Sequence, residues 1–519
     1  MARRTVARWP SGWAEPAKEE RPRMNPFADF TYFGLLLYVV IPTLVLGFFG
    51  RANATWIVVV TLLAAVVQFA TREINLGAWE IRELWIVLGY TALQWVIAMA
   101  FLRWKTRVAF HAAIAFAVLP LLAAKIVPEL APHSTFGFLG ISYVTFRALD
   151  VVFSINDGLI KALKPAQYFA FLFFLPTISS GPIDRFRRFA KDWEQQRTRA
   201  EFLTDLDSAV HHLFRGFAYK FILAAVIRTY WIDPFASDDS LGATVAYMYG
   251  YTLYLFFDFA GYSAFAVGLS RLFGVHTPEN FHLPFLSKNI RDFWNRWHIS
   301  LSFWFRDHVY MRFLLAATKG RWFKGKHTAS YTGLFLTFGL MGIWHGLSAH
   351  YIIYGLYHAA LLCGYDAFAH WNKQRKLWGN SPAWRFGNIL LTIHVVAFGF
   401  LIFSGRLNPR PAPTAHESIE AVDCHEISGW AWNPKSPDVP LLVDLYIDDA
   451  FISRTLADLT SEAMQRNGAA NSQHGFAVKL PAWVRDGREH TVEMRMVHTG
   501  QLLPGTPRVI TCEKDTAAP

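Results

Sequence analysis

The sequence predicts a mainly α-helical, polytopic membrane bundle of about ten to twelve spans, followed by a soluble C-terminal β-sandwich. Three observations carry that expectation. Apolar residues make up 53% of the 519 and charged residues only 17%, where soluble domains average about 25% charge. Apolar runs recur from residue 30 to residue 405, many of them near the roughly 20 residues a bilayer-crossing helix needs. After Ser404 the pattern changes to short β-rich runs separated by turns. The same composition excludes a disordered chain, a fibrous repeat and a disulfide-dense secreted scaffold.

Taken in order, residues 1–28 form a polar tail with six basic residues and no apolar segment ending in a cleavage site. It therefore reads as an inside-facing tail rather than a signal peptide. Residues 29–405 form the membrane body. Its apolar stretches lie near 30–49, 55–70, 84–102, 107–127, 136–153, 166–182, 208–232, 243–273, 299–317, 329–347, 349–369 and 386–404. Several are interrupted by Pro, Gly or charge, which predicts re-entrant or interfacial pieces among the spans. The polar stretches 183–207, 274–298 and 319–328 belong at interfaces or along a protein-enclosed cavity.

Residues 406–415 (RLNPRPAPTA) hold three prolines and predict an extended linker. Residues 416–519 alternate LLVDLYID, AFISRTLA, HGFAVKLP and HTVEMRMVH with turns such as Asp486-Gly487, which predicts an antiparallel sandwich. Within it, Trp430 and Trp432 in GWAWNP stand two apart on a strand. They suit either a sugar-stacking platform or an ordinary sandwich core.

Charge is divided along the chain. Residues 416–519 carry 9 basic against 15 acidic side chains, and the rest carries 41 against 24. Basic loops between apolar spans mark cytoplasmic surfaces at an anionic leaflet, and they also suit an acidic soluble partner. No basic stripe is free of the apolar spans, so nucleic acid is not an expected partner. Cys363 lies in an apolar run as packing. Cys424 and Cys512, near the two ends of the C-terminal segment, are either a bridge formed in an oxidising compartment or two buried thiols.

Two polar islands interrupt the apolar body. In Arg291–Arg306 (RDFWNRWHISLSFWFR), helical spacing puts Phe293, Trp297, Leu301 and Trp304 on one face and Arg291, Asn295, His298 and Ser302 on another. That pattern fits a functional polar stripe or an interfacial helix. In Met341–Leu347 (MGIWHGL), His345 sits in mid-span between Gly342 and Gly346. An ionisable group there is a functional candidate by default, and the flanking glycines admit a substrate or a neighbouring helix. Lesser candidates are Ser179 and Ser180 in a hydroxyl-rich break, Asp258 and Arg147 as intramembrane charges that pair with each other or with a cavity, and His394 as a core histidine. No P-loop, dinucleotide fingerprint, HExxH or CxxC occurs.

These two islands together resemble the paired histidine motifs of the membrane-bound O-acyltransferase superfamily, over roughly Phe30 to Ser404. PTISSGPIDRFRRF, FDFAGYSAFAVGLSRLFG, TPENFHLPFLSKNIRDFWNRWH and IIYGLYHA resemble the D-alanyl transfer branch of teichoic-acid D-alanylation. Alginate and peptidoglycan O-acetyltransferases share the histidine motifs and form the alternative. The resemblance implies transfer of a small acyl group from a cytoplasmic thioester to a hydroxyl beyond the membrane. The donor is either a phosphopantetheine carrier protein or of acetyl-CoA type.

By the same resemblance, His345 is the general base and His298 its catalytic partner. Asn295, Trp294, Trp297, Ser302, Trp344, Ser179, Ser180 and Asp258 are substrate or tunnel candidates, with no metal and no bound cofactor. Implied partners are an acyl carrier protein, an extracytoplasmic acyltransferase and an envelope glycan, with the chain in the inner or plasma membrane. The side of the C-terminal domain follows from span parity instead: with the N-terminus inside, an odd number of spans puts it outside, the expected side, with Cys424 and Cys512 bridged, and an even number leaves it inside with two free thiols. A transporter sharing the polar cavity is the reading from another class, and it lacks the internal repeat such proteins often show. A non-catalytic scaffold acting through the β domain is the third.

Overall fold

The structure is a computed structural model, and it describes residues 27, 30–50, 54–69, 71–72, 79–80, 82–130, 138–236, 238, 240–379, 381–408, 417–432, 440–448, 450–461, 473–497, 500 and 502–514. The 1–28 tail apart from Phe27, and the proline-rich linker beyond Asn408, lie outside these residues. The chain divides into two compact units, residues 1–228 with 248–405, and residues 229–247 with 406–519.

Among the described residues the helices are α1 (Phe30–Phe48), α2 (Ala54–Phe69), α3 (Arg82–Arg103), α4 (Arg107–Leu130), α5 (Ile141–Asn156), α6 (Pro165–Leu172), α7 (Phe186–Glu194), α8 (Arg199–Phe217), α9 (Ala224–Ile227), α10 (Leu241–Leu272), α11 (Ile290–Trp294), α12 (Ile299–Phe305), α13 (Met311–Lys319), α14 (Lys326–His345), α15 (Ala349–Arg375) and α16 (Pro382–Phe403). Local chemistry sets several starts. Thr198 and Glu201 form a capping box on α8, with the Glu201 amide donating to Thr198 Oγ1 and the Thr198 amide to Glu201 Oε2. Ser381 caps α16 ahead of Pro382, whose missing N–H is no loss in a first turn.

Among the described residues, five helical segments are long and apolar enough to cross a membrane: Leu84–Arg103, Arg107–Val127, Arg199–Phe235, Leu241–Leu272 and Pro382–Phe403. Three of the other apolar stretches carry interruptions or buried charge. Helix α5 carries buried Arg147 and Asp150, the 166–182 stretch leaves its α-helix at Leu172, and the 299–317 stretch changes to a π-helical turn at Arg306–Tyr310. Phe27 begins the body's core. It is fully buried, stacked on Phe265 at 5.5 Å and edge-on to Tyr262 at 5.3 Å.

The loop from α10 to α11 is pinned to α7 and to the first turns of α8. His276 Nε2 lies 3.0 Å from Asp205 Oδ1, and its amide donates to Asp192 Oδ2 at 2.7 Å. Hydrogen bonding to Asp192 and then Asp205 raises the His276 pKa to about 9. A raised folded-state pKa stabilises fully below the free value of about 6.5, and the contribution disappears as pH rises through about 9. The thermal midpoint of the purified protein should therefore fall between pH 7 and pH 10, and His276→Gln should flatten that part of the profile. An unchanged profile in the variant would contradict the assignment.

In the C-terminal unit the strands are β3 (Glu417–Val422), β4 (Glu426–Ala431), β5 (Leu441–Ile447), β6 (Ala450–Ala457), β7 (Leu459–Thr460), β8 (Gln473–Lys479), β9 (Glu489–Met496) and β10 (Arg508–Thr511), numbered after the two-residue pair β1 (Thr71–Arg72) and β2 (Trp79–Glu80). They form two antiparallel sheets, β10-β9-β5-β6 and β3-β4-β8-β7. Period-two alternation decides the inside: His490, Val492, Met494 and Met496 of β9 are buried, and the residues between them are more exposed. Ile427, Phe476 and Val478 of one sheet share a core with Val443, Leu445 and Val492 of the other. Cys424 and Cys512 form a disulfide. Trp430 is buried, only 6% exposed, so it offers no open ring face for a sugar.

Candidate active site

The Arg291–Arg306 segment is not one helix, and the polar stripe expected on it does not form. It breaks into α11 and α12 at Asn295–His298. The cause is a long-range competitor for the backbone. The Ile299 amide donates to the Asn280 carbonyl (2.9 Å), the His282 amide to the Arg296 carbonyl (2.9 Å), and Phe281 bridges Trp297. His298 takes φ 43° and ψ 52°, in the left-handed region, and so turns out of the helical register. Asn295 is consequently exposed, away from the buried His298. Ser302 Oγ donates back to the Trp297 carbonyl at 3.2 Å, and Trp297 is core, 4.8 Å from Phe400.

Asn280 is the residue that sequence reasoning missed. Fully buried, it accepts from the Ser300 hydroxyl at 2.6 Å and the Ser300 amide at 3.3 Å, and it donates to Ser263 Oγ at 3.1 Å. Ser300 Oγ in turn accepts from the Ile183 amide at 2.9 Å. One side chain thus ties α10, the 178–183 segment and the first turn of α12, directly after His298. Asn280→Ala should destabilise the protein by roughly 1–3 kcal/mol, the cost of buried groups left unpaired. Turnover should fall more than protein yield does. Equal turnover per folded molecule would show that Asn280 does not position His298.

His345 is also placed differently from the mid-span expectation. It is the last residue of α14, half-buried, before the Gly346–Ser348 break and the start of α15. The glycines are the reason for the close hinge. A Cβ on Gly342 would lie 2.5 Å from the Tyr351 carbonyl oxygen, and one on Gly346 would lie 2.5 Å from the Tyr351 ring. Gly355 answers from α15, where a Cβ would meet the Phe338 carbonyl oxygen. The glycines therefore admit a neighbouring helix.

These two turns bring the histidines to one tryptophan. The Trp344 ring lies 4.5 Å from the His345 ring and 6.4 Å from the His298 ring, centroid to centroid. Phe259 stands edge-on to His298 at 4.7 Å, and Phe403 edge-on to His345 at 4.9 Å. His298 Nε2 and Trp344 Nε1 are buried without a hydrogen-bond partner among the described residues. Leaving such an atom unpaired costs about 1–3 kcal/mol, which a polar substrate atom offsets. The arrangement sets two imidazoles and an indole N–H among aromatic rings, a setting suited to proton transfer and to holding a developing oxyanion.

Other candidates are engaged elsewhere. Ser179 Oγ lies 2.6 Å from Tyr262 Oη, and the Ser180 amide donates to the same oxygen at 3.0 Å. Asp258 pairs with Lys220, while Arg147 donates to the carbonyls of Phe171, Leu172 and Thr177, so the two intramembrane charges are not partners. His394 is exposed on α16 rather than in the core, with Nδ1 against the Leu390 carbonyl. Trp294 stands edge-on to His358 at 5.1 Å, in a buried layer beside the site. Arg185 joins a network with Asp150 (2.9 Å) and Asp307 (2.9 Å) that fastens α7 to α5 and to the turn after α12.

The profile of the membrane-bound O-acyltransferase family matches residues 149–403, the stretch that contains both histidine turns. A teichoic acid D-alanyltransferase of Bacillus subtilis is 43% identical over 397 residues, covering 74% of this chain and 98% of the relative. The chain belongs to the membrane-bound O-acyltransferase family. It is an O-acyltransferase and a multi-pass membrane protein. A teichoic acid D-alanyltransferase of Lacticaseibacillus rhamnosus is 36% identical, covering 74% of this chain and 98% of the relative. A probable alginate O-acetylase of Pseudomonas syringae is 34% identical, over 51% of the chain and 48% of the relative. The family profile ends at residue 403, so the β unit of this acyltransferase lies beyond it.

Proposed function

We propose that this acyltransferase moves a D-alanyl group from a cytoplasmic thioester donor to a hydroxyl of an extracytoplasmic envelope glycan or partner protein. The observation that carries the proposal is the placing of His345 and His298 about Trp344, in a chain that matches a D-alanyltransferase along 98% of the relative's length. His345 accepts the proton of the acceptor O–H as the oxygen forms its bond to the thioester carbonyl carbon. The tetrahedral intermediate expels the thiolate as the C–S bond breaks, and the His345 imidazolium returns its proton to sulfur. One ester forms, one thioester breaks, and no electrons are exchanged. His298, with the Trp344 N–H, stabilises the oxyanion.

The basic excess of residues 1–415, 41 basic against 24 acidic side chains, supports an acidic carrier protein as the donor's bearer. An extracytoplasmic acyltransferase completes delivery to the glycan. The Cys424–Cys512 bridge supports an extracytoplasmic position for the β unit, since such bonds persist in oxidising compartments. In intact cells, a membrane-impermeant maleimide should label these cysteines only after reduction. Labelling only after permeabilisation would place the unit in the cytoplasm. For the transfer itself, membranes containing the full chain and its carrier should convert labelled D-alanyl thioester into base-labile ester on envelope glycan. Donor consumption without ester would refute the assigned acceptor chemistry.

A further inference from the structure

The turn between α3 and α4 holds a pocket whose lining includes none of the candidate site residues. Its cavity measures about 400 Å³ and is lined by Lys105, Arg107, His111 and Asn156 over a floor that includes Phe101 and Phe110. Lys105 and Arg107 are exposed, and neither has an ion-pair partner among the described residues. Asp157, the carboxylate next to Asn156, is already held by Arg312 at 2.6 Å. His111 is anchored through Nδ1 to the Arg107 carbonyl at 2.7 Å, which leaves Nε2 for a ligand. The pocket therefore keeps its positive charge uncompensated.

Its depth in the membrane indicates the source of the anion. The turn joins two segments long and apolar enough to cross a membrane, Leu84–Arg103 and Arg107–Val127, and so belongs at a headgroup boundary. Trp104 at this level is 62% exposed, as suits a ring at the headgroup boundary. Cations above an apolar floor at that boundary match a phosphodiester above glycerol and acyl carbons. We propose that this pocket binds the phosphate-bearing headgroup of an anionic membrane lipid. Lys105 and Arg107 pair with the phosphate oxygens, and Phe101 and Phe110 pack against the apolar carbons below. A soluble phosphate compound shares the charge chemistry but not the need for the aromatic floor.

The test uses the full chain in phosphatidylcholine nanodiscs, with phosphatidylglycerol or inorganic phosphate added and retained lipid read by native mass spectrometry. The wild type should retain phosphatidylglycerol in preference to phosphatidylcholine. Lys105→Ala with Arg107→Ala should lower that retention by about tenfold or more, because each cation near an anionic headgroup contributes to it. The charge-keeping pair Lys105→Arg with Arg107→Lys should retain it, which separates lost charge from lost folding. Undiminished retention in the double alanine variant, or displacement of the lipid from wild type by millimolar inorganic phosphate, would overturn the proposal.

Discussion

His345→Ala lowers acyl transfer by about a thousandfold, within the range of about 10²- to 10⁴-fold that a positioned general base contributes. The fold survives the change. His345 contacts its neighbours through ring faces at the end of α14 and makes no side-chain hydrogen bond among the described residues. The α14–α15 hinge depends instead on Gly342 and Gly346 against Tyr351. The measurement is turnover per folded molecule in membranes, with elution profile and thermal midpoint as controls. Near-normal turnover in folded His345→Ala would remove the residue from the chemistry. His298 is best tested with Asn, which tolerates the left-handed backbone better than most residues. His298→Asn should reduce kcat by about 10²-fold or more if the side chain holds the oxyanion, with KM changed far less.

The second large effect lies in the β unit. Cys424 follows β3 and Cys512 follows β10, strands of opposite sheets, and the bond spans a sequence separation of 88. Closing a loop of that length limits the unfolded chain by about 4–5 kcal/mol. Replacing both cysteines by serine should therefore lower the unit's stability by most of that amount, or prevent its folding at growth temperature. Proteolysis with and without reductant reads the change: reduced wild type and the double serine variant should be cleaved alike within residues 417–514. Equal resistance of the oxidised and reduced proteins would show that the bond contributes little.

The fold class was legible because two sequence patterns differ so plainly: continuous apolar runs to Ser404, then period-two alternation as in β9. The two histidines of the proposed site stand out in the sequence as ionisable groups among aromatic and glycine residues. Their backbone surroundings were not. Residues 291–306 have good helical spacing, and the break between α11 and α12 comes from Asn280, twenty residues from Ser300 in sequence, which no periodicity can register. The end of α14 at His345 had a local signal in Gly346-Leu347-Ser348, outweighed by the apolar run on both sides. Ser179 and Asp258 look like site residues in sequence because polar atoms in an apolar run stand out. In the structure their partners, Tyr262 and Lys220, come from distant segments and satisfy them.

The central claim is that two imidazoles placed about Trp344 transfer D-alanine from a thioester. Its most direct test is a competition in one membrane preparation, with D-alanyl carrier protein and an acetyl thioester carrying different labels and His345→Ala as the control. The account predicts histidine-dependent D-alanine on the envelope glycan and little acetate. Histidine-dependent acetate without D-alanine would contradict it and place the enzyme's chemistry with the alginate O-acetylases.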